Sequence, residues 1–549
     1  MEPKFILKYR NLLWLFAILT GLAFDQLFWQ KPGGISFFIF ILLAVLGGLI
    51  PMWVENITIP WTSYLLLLPV LIFSAFTFIR AEPMTTLMNG LLTVGSLILL
   101  TISLRNGDWA RYDFKDHVLN LLKFILNCLI GGVAFFLKTQ PKPNQQTDSQ
   151  DRARKEGKNQ DGAKRQTRMA YMRGVLLALP IVILLALLLA SADPVFGSRI
   201  LGIFDWFSFE DIGELIFRLT YILILAYLLL GAYFFGLVKS PELNHKSQDD
   251  SQDKFFIGTI ETSVVFGALN LLFLGFVIIQ FTYLFGGDQN ISIEGFTYAE
   301  YARRGFFELV AVAVISGLIF SVLSRVTERK TPIQKWMVSG LGLTLLALVG
   351  IILVSAYTRL TLYEDAYGFT RLRTFTHVFI FWTGGMLAAL AFLEVTQKMK
   401  RLPFVLILML MAFGLTINIL NVDGFIVKQN VQRAVNPPTE DVDNQLDVAY
   451  LSELSLDSVP PLSSNFKDES LPEDLRQKIG GVLACQFTAR DLTEKTPWTS
   501  WHFARSQAFT QLQDLEDELS GYRVYQSEDP WGWFVDINGD SFPCNAPWD

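Results

Sequence analysis

Charged residues are scarce in this chain of 549 residues. Asp, Glu, Lys and Arg make up 17% of it, against roughly 25% in soluble proteins, and hydrophobic residues make up 52%. The net charge of -6 argues against a nucleic-acid partner, because such proteins carry a basic face. This composition is typical of a chain that lies mostly in lipid, so the bilayer is the first expected partner.

Cysteine and histidine are also rare. Three cysteines exclude a disulfide-dense scaffold, and four scattered histidines argue against a metal cluster. The sequence has none of the motifs of phosphate-binding loops, nucleophile elbows, zinc proteases or dithiol redox sites. We therefore expect no metal and no cofactor and assign no catalytic residue. An enzyme is left open as the less favoured class.

Long apolar runs, in contrast, are abundant. A helix needs about 20 mainly apolar residues to span a bilayer. Eleven runs meet this length, and a twelfth, residues 116–137, is interrupted by His117, Lys123 and Asn127. We expect an all-α polytopic membrane protein with 11–12 transmembrane helices. The eleven runs lie near residues 12–29, 35–54, 60–79, 84–104, 171–191, 213–238, 256–285, 305–324, 336–356, 375–394 and 402–421.

Basic residues predict which connectors face the cytoplasm. Short loops rich in Lys and Arg stay on that side, and segment 138–170 carries nine such residues, whereas 287–302 carries none. Two topologies remain open. Either four spans precede the basic segment and 116–137 lies in the interface, or 116–137 spans and the amino terminus is outside. Both put residues 425–549 outside the cell membrane.

Four regions follow from these patterns. They are N-terminal membrane helices (1–137), a charged cytoplasmic linker (138–170), a main bundle of seven spans (171–424) and an extracytoplasmic domain (425–549). In the last region, apolar residues recur at helical spacing before two short strands around a Pro-Trp-Gly turn. It should be a small, mainly helical domain ending in a β-hairpin. A disulfide between Cys485 and Cys544 is possible there, and sequence alone leaves it open.

Polar side chains gather at the predicted outer ends of the helices. Asp193 would lie at a helix C-terminus, where the dipole disfavours an anion, so we expect a cationic partner such as Arg373. Four segments should converge in one ion-paired layer between the bundle and the C-terminal domain. The predicted members of this layer are Asp193, Arg218, Glu364, Asp365, Tyr367, Arg371, Arg373, His377, Asn421, Asp423, Lys428 and Asn430.

The layer has two interpretations. We favour a structural clamp that docks the C-terminal domain. The alternative is a site for an anionic ligand such as a lipid head group, held by Arg371, Arg373 and Lys428, because the planar guanidinium suits phosphate.

Three functions stay open. We favour a non-enzymatic envelope protein that senses, docks a partner or acts as a scaffold. The second is a transporter or lipid-translocating permease, which a mid-membrane cavity lined by Asn89, Asn270 or Glu308 would support. The third is a membrane-embedded transferase acting on a lipid-linked substrate, which an unpaired carboxylate next to Arg371 would support.

Four stretches of the sequence together carry a resemblance to a known family. They are LPIVILLALLLASADPVF (179–196), YEDAYGFTRLRTFTHVFIFW (363–382), INILNVDGFIVKQNVQR (417–433) and LDVAYLSELSLDSVPPL (446–462). Over residues 171–515 the chain resembles the bacterial integral-membrane family known as domain of unknown function 4153/4173. It departs from the family's Asn-Pro-Asp pattern at Val422 and Gly424. The resemblance implies a bacterial envelope membrane protein of about a dozen helices, and it implies no activity, cofactor or catalytic residue.

Reporter fusions test the predicted topology. A reporter inserted at residue 155 should report the cytoplasm, because that segment is strongly basic. A reporter placed after residue 549 should report the exterior. A cytoplasmic signal at the second position would contradict the outer location of the polar layer.

Overall fold

The structure is a computed structural model that describes residues 3–54, 56–138, 182, 189, 193, 210–240, 257–284, 305–436, 446–489, 497–528 and 531–545. The predicted linker 138–170 and the predicted span 171–191 lie almost entirely outside these residues.

Helices dominate the described chain. The first half contains α1 (Pro3–Phe28), α2 (Ser36–Val54), α3 (Trp61–Tyr64), α4 (Leu67–Ile79), α5 (Pro83–Ser103), α6 (Phe114–Lys138), α7 (Glu210–Phe234) and α8 (Thr259–Leu284). The second half contains α9 (Phe306–Val326), α10 (Pro332–Tyr367), α11 (Arg371–Val395), α12 (Leu402–Leu420), α13 (Val422–Val435), α14 (Val448–Glu453), α15 (Val459–Phe466), α16 (Glu473–Ala489), α17 (Phe503–Gln513) and α18 (Glu516–Leu519). Short 3-10 turns cover Asp108–Ala110, Leu456–Ser458 and Trp498–Ser500, and a π turn, Phe235–Lys239, extends α7.

Nine helical segments of the described chain are long and apolar enough to cross a membrane. They are Ser36–Val54, Trp61–Ile79, Pro83–Ser103, Gly213–Lys239, Thr259–Gln280, Phe306–Val326, Pro332–Tyr367, Arg371–Val395 and Met399–Leu420. Helix α1 adds a shorter apolar segment, Leu12–Phe28. The predicted all-α polytopic membrane class is therefore confirmed. Residues 116–137 do form a helix, α6, which is not among the nine, so whether it crosses stays a prediction.

The chain divides into two compact units, and the first comprises Met1–Gln30, Leu42–Thr58 and Leu122–Glu242. In unit 1, α1 packs along α7. The Arg218 guanidinium holds buried Asp25 through Nε and Nη2, at 2.9 and 2.6 Å from the carboxylate oxygens. The Tyr221 hydroxyl donates to the same carboxylate, and the Trp29 indole N–H donates to Glu214 at 2.9 Å. Charge inside apolar helices is thus paired, as a lipid surrounding requires.

Unit 2 comprises Lys31–Ile41, Ile59–Leu121 and Leu243–Asp549 and contains two hydrophobic cores. One core lies among α8, α9, α10 and α11 and includes the fully buried rings of Phe266, Phe306 and Phe320. The other begins with Val378 of α11 and Ile417 of α12 and continues through α13 into residues 446–545. The C-terminal domain therefore shares its core with the ends of membrane helices and is not joined to them by a linker alone.

The C-terminal domain ends in a three-stranded antiparallel sheet. Its strands β1 (Arg523–Glu528), β2 (Trp531–Ile537) and β3 (Asp540–Cys544) pair in the order β1-β2-β3. The predicted hairpin is confirmed as β1 and β2. The third strand was not predicted, because Pro543 breaks its alternating pattern.

The turn before α2 contacts the C-terminal domain at residues 500–501. The Ile35 N–H donates to the Trp501 carbonyl at 2.9 Å, and the Ser500 hydroxyl donates to the Pro32 carbonyl at 2.7 Å. Gly34 lies so close that a Cβ there would be 2.5 Å from the Ser500 backbone. At the neighbouring Gly33, a Cβ would meet no atom within 4 Å.

This difference gives a matched pair of variants. Gly34→Ala should destabilise the protein by about 1–3 kcal/mol, because backbone must shift to accept the methyl group. Gly33→Ala should change stability by less than about 0.5 kcal/mol. Thermal unfolding of the purified protein in detergent measures both. Equal effects of the two substitutions would show that this contact does not hold the domain.

Candidate functional site

The candidate site lies where the unit 2 helices meet residues 446–545, and we name this the domain end of unit 2. Helix α11 begins there with Arg371, and α13 begins there with Val422 and Asp423. Polar atoms at the end of α4 and the start of α5 contact the same region of the C-terminal domain.

An arginine and an aspartate form the centre of the site. The Nε and Nη2 atoms of Arg371 donate to the two carboxylate oxygens of Asp423 at 2.8 and 2.7 Å, which is the bidentate geometry that arginine favours. Asp423 is 0% exposed. Its Oδ2 also accepts the backbone N–H of Ser455 at 2.7 Å. Asp423 thereby links Arg371 of the membrane helix α11 to Ser455 of the C-terminal domain. We name these three residues the Arg371–Asp423–Ser455 clamp.

Local backbone structure brings the clamp together. Asn421 has a φ of 52°, a left-handed conformation that asparagine tolerates, and it ends α12 and caps α13 by accepting the Gly424 N–H at 3.3 Å. Asp423 then falls in the first turn of α13, where the dipole favours an anion. Arg371 lies at the first position of α11, where the dipole disfavours a cation. The paired carboxylate compensates for that placement.

A second carboxylate connects the C-terminal domain to the turn between α4 and α5. Oδ2 of Asp457 accepts the N–H groups of Ala81 and Glu82 at 2.7 and 3.2 Å, and Oδ1 lies 3.6 Å from Nη1 of Arg80. Burial raises the pKa of Asp457, and the nearby Asp423 carboxylate adds to this, while the two backbone amides and Arg80 act in the opposite direction. Domain and bundle thus meet in a second polar contact.

Two further side chains lie next to Arg371. Glu82 caps α5, accepting the N–H groups of Met84 and Thr85 at 3.1 and 2.6 Å, and its Oε1 lies 3.9 Å from Nε of Arg371. The Tyr450 hydroxyl accepts the backbone N–H of Arg371 at 2.7 Å, and burial raises the pKa of Tyr450 to about 12. The hydroxyl therefore stays protonated at physiological pH.

The loop predicted between the spans near 336–356 and 375–394 is wrong in its extent. Helix α10 continues to Tyr367 and α11 begins at Arg371, so only Gly368, Phe369 and Thr370 connect them. The reason is that two arginines satisfy the carbonyls at the C-terminal end of α10, which otherwise lack partners.

Two different helices supply these arginines. Arg373 donates to the carbonyls of Tyr367, at 3.2 Å, and Gly368, and its guanidinium carbon lies 4.0 Å from the centre of the Tyr363 ring. Arg433 of α13 donates to the carbonyls of Asp365 and Ala366, both at 2.8 Å. A charged helix end is therefore compatible with a position at the end of a membrane span.

The same helix end contains two more polar pairs. The Nδ1 atom of His377 lies 3.0 Å from Oε2 of buried Glu364. The Asn430 side chain accepts the N–H of Phe369 at 2.7 Å and donates to its carbonyl at 2.9 Å. Gly368 has a φ of 77°, and a Cβ there would lie 2.8 Å from Oδ1 of Asn430, so the turn requires glycine.

The structure divides the predicted layer between the two units. Unit 2 contains Glu364, Asp365, Tyr367, Arg371, Arg373, His377, Asn421, Asp423, Lys428 and Asn430, and Lys428 is exposed on α13. Unit 1 contains Arg218, paired with Asp25, and Asp193. The pairing of Asp193 with Arg373 would join the units and stays a prediction.

Sequence reasoning missed several members of the site: Arg80, Glu82, Tyr450, Ser455 and Asp457. One signal was present, since Glu82 followed by Pro83 is a typical helix start, with a capping side chain and proline at the first helical position. The contacts of Ser455 and Asp457 are made by distant backbone amides, which leave no local sequence pattern.

Two of the asparagines expected to line a transport cavity, Asn89 and Asn270, form hydrogen bonds within the protein. Asn89 and Asn418 are fully buried and exchange amide hydrogen bonds of 2.9 and 2.7 Å. The Asn270 side chain donates to the Leu341 carbonyl at 3.0 Å. Far from the domain end, buried Glu394 pairs with Arg329.

Two cysteines of the C-terminal domain are bonded. The sulfur atoms of Cys485 on α16 and Cys544 on β3 lie 2.08 Å apart, and both residues are buried. Within the described residues, no group of three or more His, Cys, Asp or Glu could hold a metal ion.

Apolar helices, paired buried charges and a domain that shares its core with them define a multi-pass helical membrane protein. The sequence profile of the DUF4153 family, described as a domain of unknown function, matches residues 67–465, which is more than half of the chain. The chain therefore belongs to the DUF4153 family, and the resemblance inferred from its motifs is confirmed. Searches of curated proteins and of solved structures found no match. The matched residues include all three members of the clamp.

Proposed function

We propose that this protein is a non-enzymatic scaffold of the bacterial envelope, in which the membrane helices hold the C-terminal domain in a fixed position for docking or sensing. The Arg371–Asp423–Ser455 clamp is the observation that carries this proposal. The polar groups of these three residues bond to one another and so attach the C-terminal domain to the membrane helices.

The geometry of the clamp favours a structural role over chemistry. A catalytic carboxylate must reach its substrate, and Asp423 is 0% exposed and accepts from both Arg371 and Ser455. A phosphate-binding arginine offers its planar fork to the ligand, and the fork of Arg371 is taken by Asp423. These contacts argue against the transferase and against Arg371 as a ligand-binding residue.

The contacts deeper in the membrane weaken the case for a transporter. Transport of a polar solute needs polar groups that face a path through the helices. Asn89 and Asn418 instead bond to each other, and Asn270 bonds to the Leu341 backbone. They support helix packing.

For location, we propose the bacterial cytoplasmic membrane, with the domain end outside. The connectors at the other end of the unit 2 helices are basic, with Arg329 and Lys330 before α10 and Lys398 and Lys400 before α12. Positive connectors favour the cytoplasmic side. The Cys485–Cys544 bond supports an oxidising compartment for the domain. An envelope protein would then be the partner of the exposed domain surface.

Removing both charges of the clamp together distinguishes a structural role, attachment of the C-terminal domain, from a chemical role of the charged groups. Arg371→Met alone leaves the Asp423 carboxylate buried without its cation and should cost about 3–5 kcal/mol of stability. Adding Asp423→Asn removes that charge, and the new amide oxygen can still accept the Ser455 N–H, so part of the loss should return. Thermal unfolding in detergent measures both.

The functional measurement uses a deletion strain, under a growth or envelope-permeability condition that distinguishes it from its parent. The uncharged double variant should complement the deletion better than Arg371→Met, because a scaffold needs the attachment and not the charges. Lys428→Met, on the exposed side of α13, is the matched control and should behave as wild type. A double variant that is stable and membrane-inserted yet inactive would contradict the scaffold and favour chemistry or ligand binding at the clamp.

A further inference from the structure

A groove runs between α10 and α11 within the spanning part of unit 2. Its volume is about 460 Å³, and its walls include Gly350, Val354 and Tyr357 of α10 and Phe381, Gly384 and Ala388 of α11. Every side chain that lines the groove is apolar apart from that of Tyr357, which carries a hydroxyl. The small side chains of both helices make it concave.

The groove opens toward lipid. Val354 is 56% and Phe381 70% exposed on helices that cross the bilayer, so their free surfaces face hydrocarbon. Its walls extend along α10 from Leu343 to Tyr357, a length of about 21 Å at a rise of roughly 1.5 Å per residue. One leaflet contributes about 15 Å of hydrocarbon. The groove is therefore long enough for an acyl chain.

The rim of the groove toward the domain end is aromatic and then cationic. The ring centre of Tyr357 lies 4.6 Å from that of His377, and the two rings are perpendicular. Arg373 lies one turn beyond His377 on α11 and thus on the same side of that helix. His377 is paired with Glu364, so that carboxylate is already engaged.

The Arg373 guanidinium has N–H donors available to bind an anion. Among the described residues it forms no salt bridge, and its hydrogen bonds all come from Nη1, to the carbonyls of Tyr367 and Gly368. A guanidinium has five N–H donors, so those on Nε and Nη2 are left for another acceptor. The other arginines of this helix end, Arg371 and Arg433, are used by Asp423 and by the α10 carbonyls.

We propose that this groove binds one anionic phospholipid, with an acyl chain along α10 and α11 and the phosphate on Nε and Nη2 of Arg373. The site is separate from the clamp and goes beyond the scaffold function. Arg373 and the groove walls, without Arg371 or Lys428, define it.

Native mass spectrometry of the purified protein tests this site, using phosphatidylglycerol and phosphatidylcholine of equal chain length. Wild type should bind phosphatidylglycerol about tenfold more tightly than phosphatidylcholine. The head group of phosphatidylglycerol has a net negative charge, so its phosphate can pair with Arg373. Arg373→Gln should abolish that preference, and Arg373→Lys should keep part of it. Lys428→Gln, a cation removed elsewhere at the domain end, should keep it fully. An unchanged preference in Arg373→Gln would overturn the proposal.

A second pair of variants tests the groove even if Arg373→Gln does not fold. A Cβ at Gly350 would meet no atom within 4 Å, so Gly350→Leu should fill the groove without strain and weaken both lipids about tenfold or more. Gly340→Leu, also in open space on α10 but outside the groove, should leave binding unchanged. Equal binding by the two variants would overturn the site. Displacement of the lipid by millimolar inorganic phosphate would likewise overturn it, because the phosphate contact alone would then account for binding.

Discussion

A carboxylate withdrawn from water needs a cation and hydrogen-bond donors, and Asp423 obtains both from parts of the chain that are distant in sequence. Its cation comes from the first residue of α11, and its backbone donor comes from Ser455 in the C-terminal domain. Either partner without the other would leave this group incompletely satisfied. The position of the domain on the membrane helices is therefore tied to the burial of one charge.

Other contacts of the domain end follow the same physical rule. Backbone N–H and carbonyl groups at helix ends need partners, and here side chains of other elements supply them. Asp457 accepts from the Ala81 and Glu82 N–H groups just before α5, and Arg373 and Arg433 donate to the carbonyls at the end of α10. Because each contact links different elements, the helix ends and the C-terminal domain are joined by one network of polar contacts next to their shared apolar core.

The sequence predicted the class of the protein well, because apolar runs of spanning length and basic connectors are local signals. It also placed Arg371 and Asp423 in one layer, since both flank long apolar runs. It missed the continuation of α10 through Glu364 and Asp365, because charged residues there indicate a loop unless their contacts are known. His377 pairs with the Glu364 carboxylate, and Arg433 donates to the Asp365 backbone carbonyl. The involvement of Ser455 could not be predicted, since its contribution is a backbone N–H that any residue would offer.

Hydrogen exchange of the Asp423→Ala variant tests the central role of this carboxylate most directly. Loss of the carboxylate removes the acceptor of the Ser455 N–H and the anion of Arg371. Backbone amides of residues 446–466 should then exchange at least about tenfold faster, which corresponds to about 1.4 kcal/mol of local stability, while those of α9 stay unchanged. Unchanged exchange at residues 446–466 would contradict the account, because the domain would then be held without the clamp.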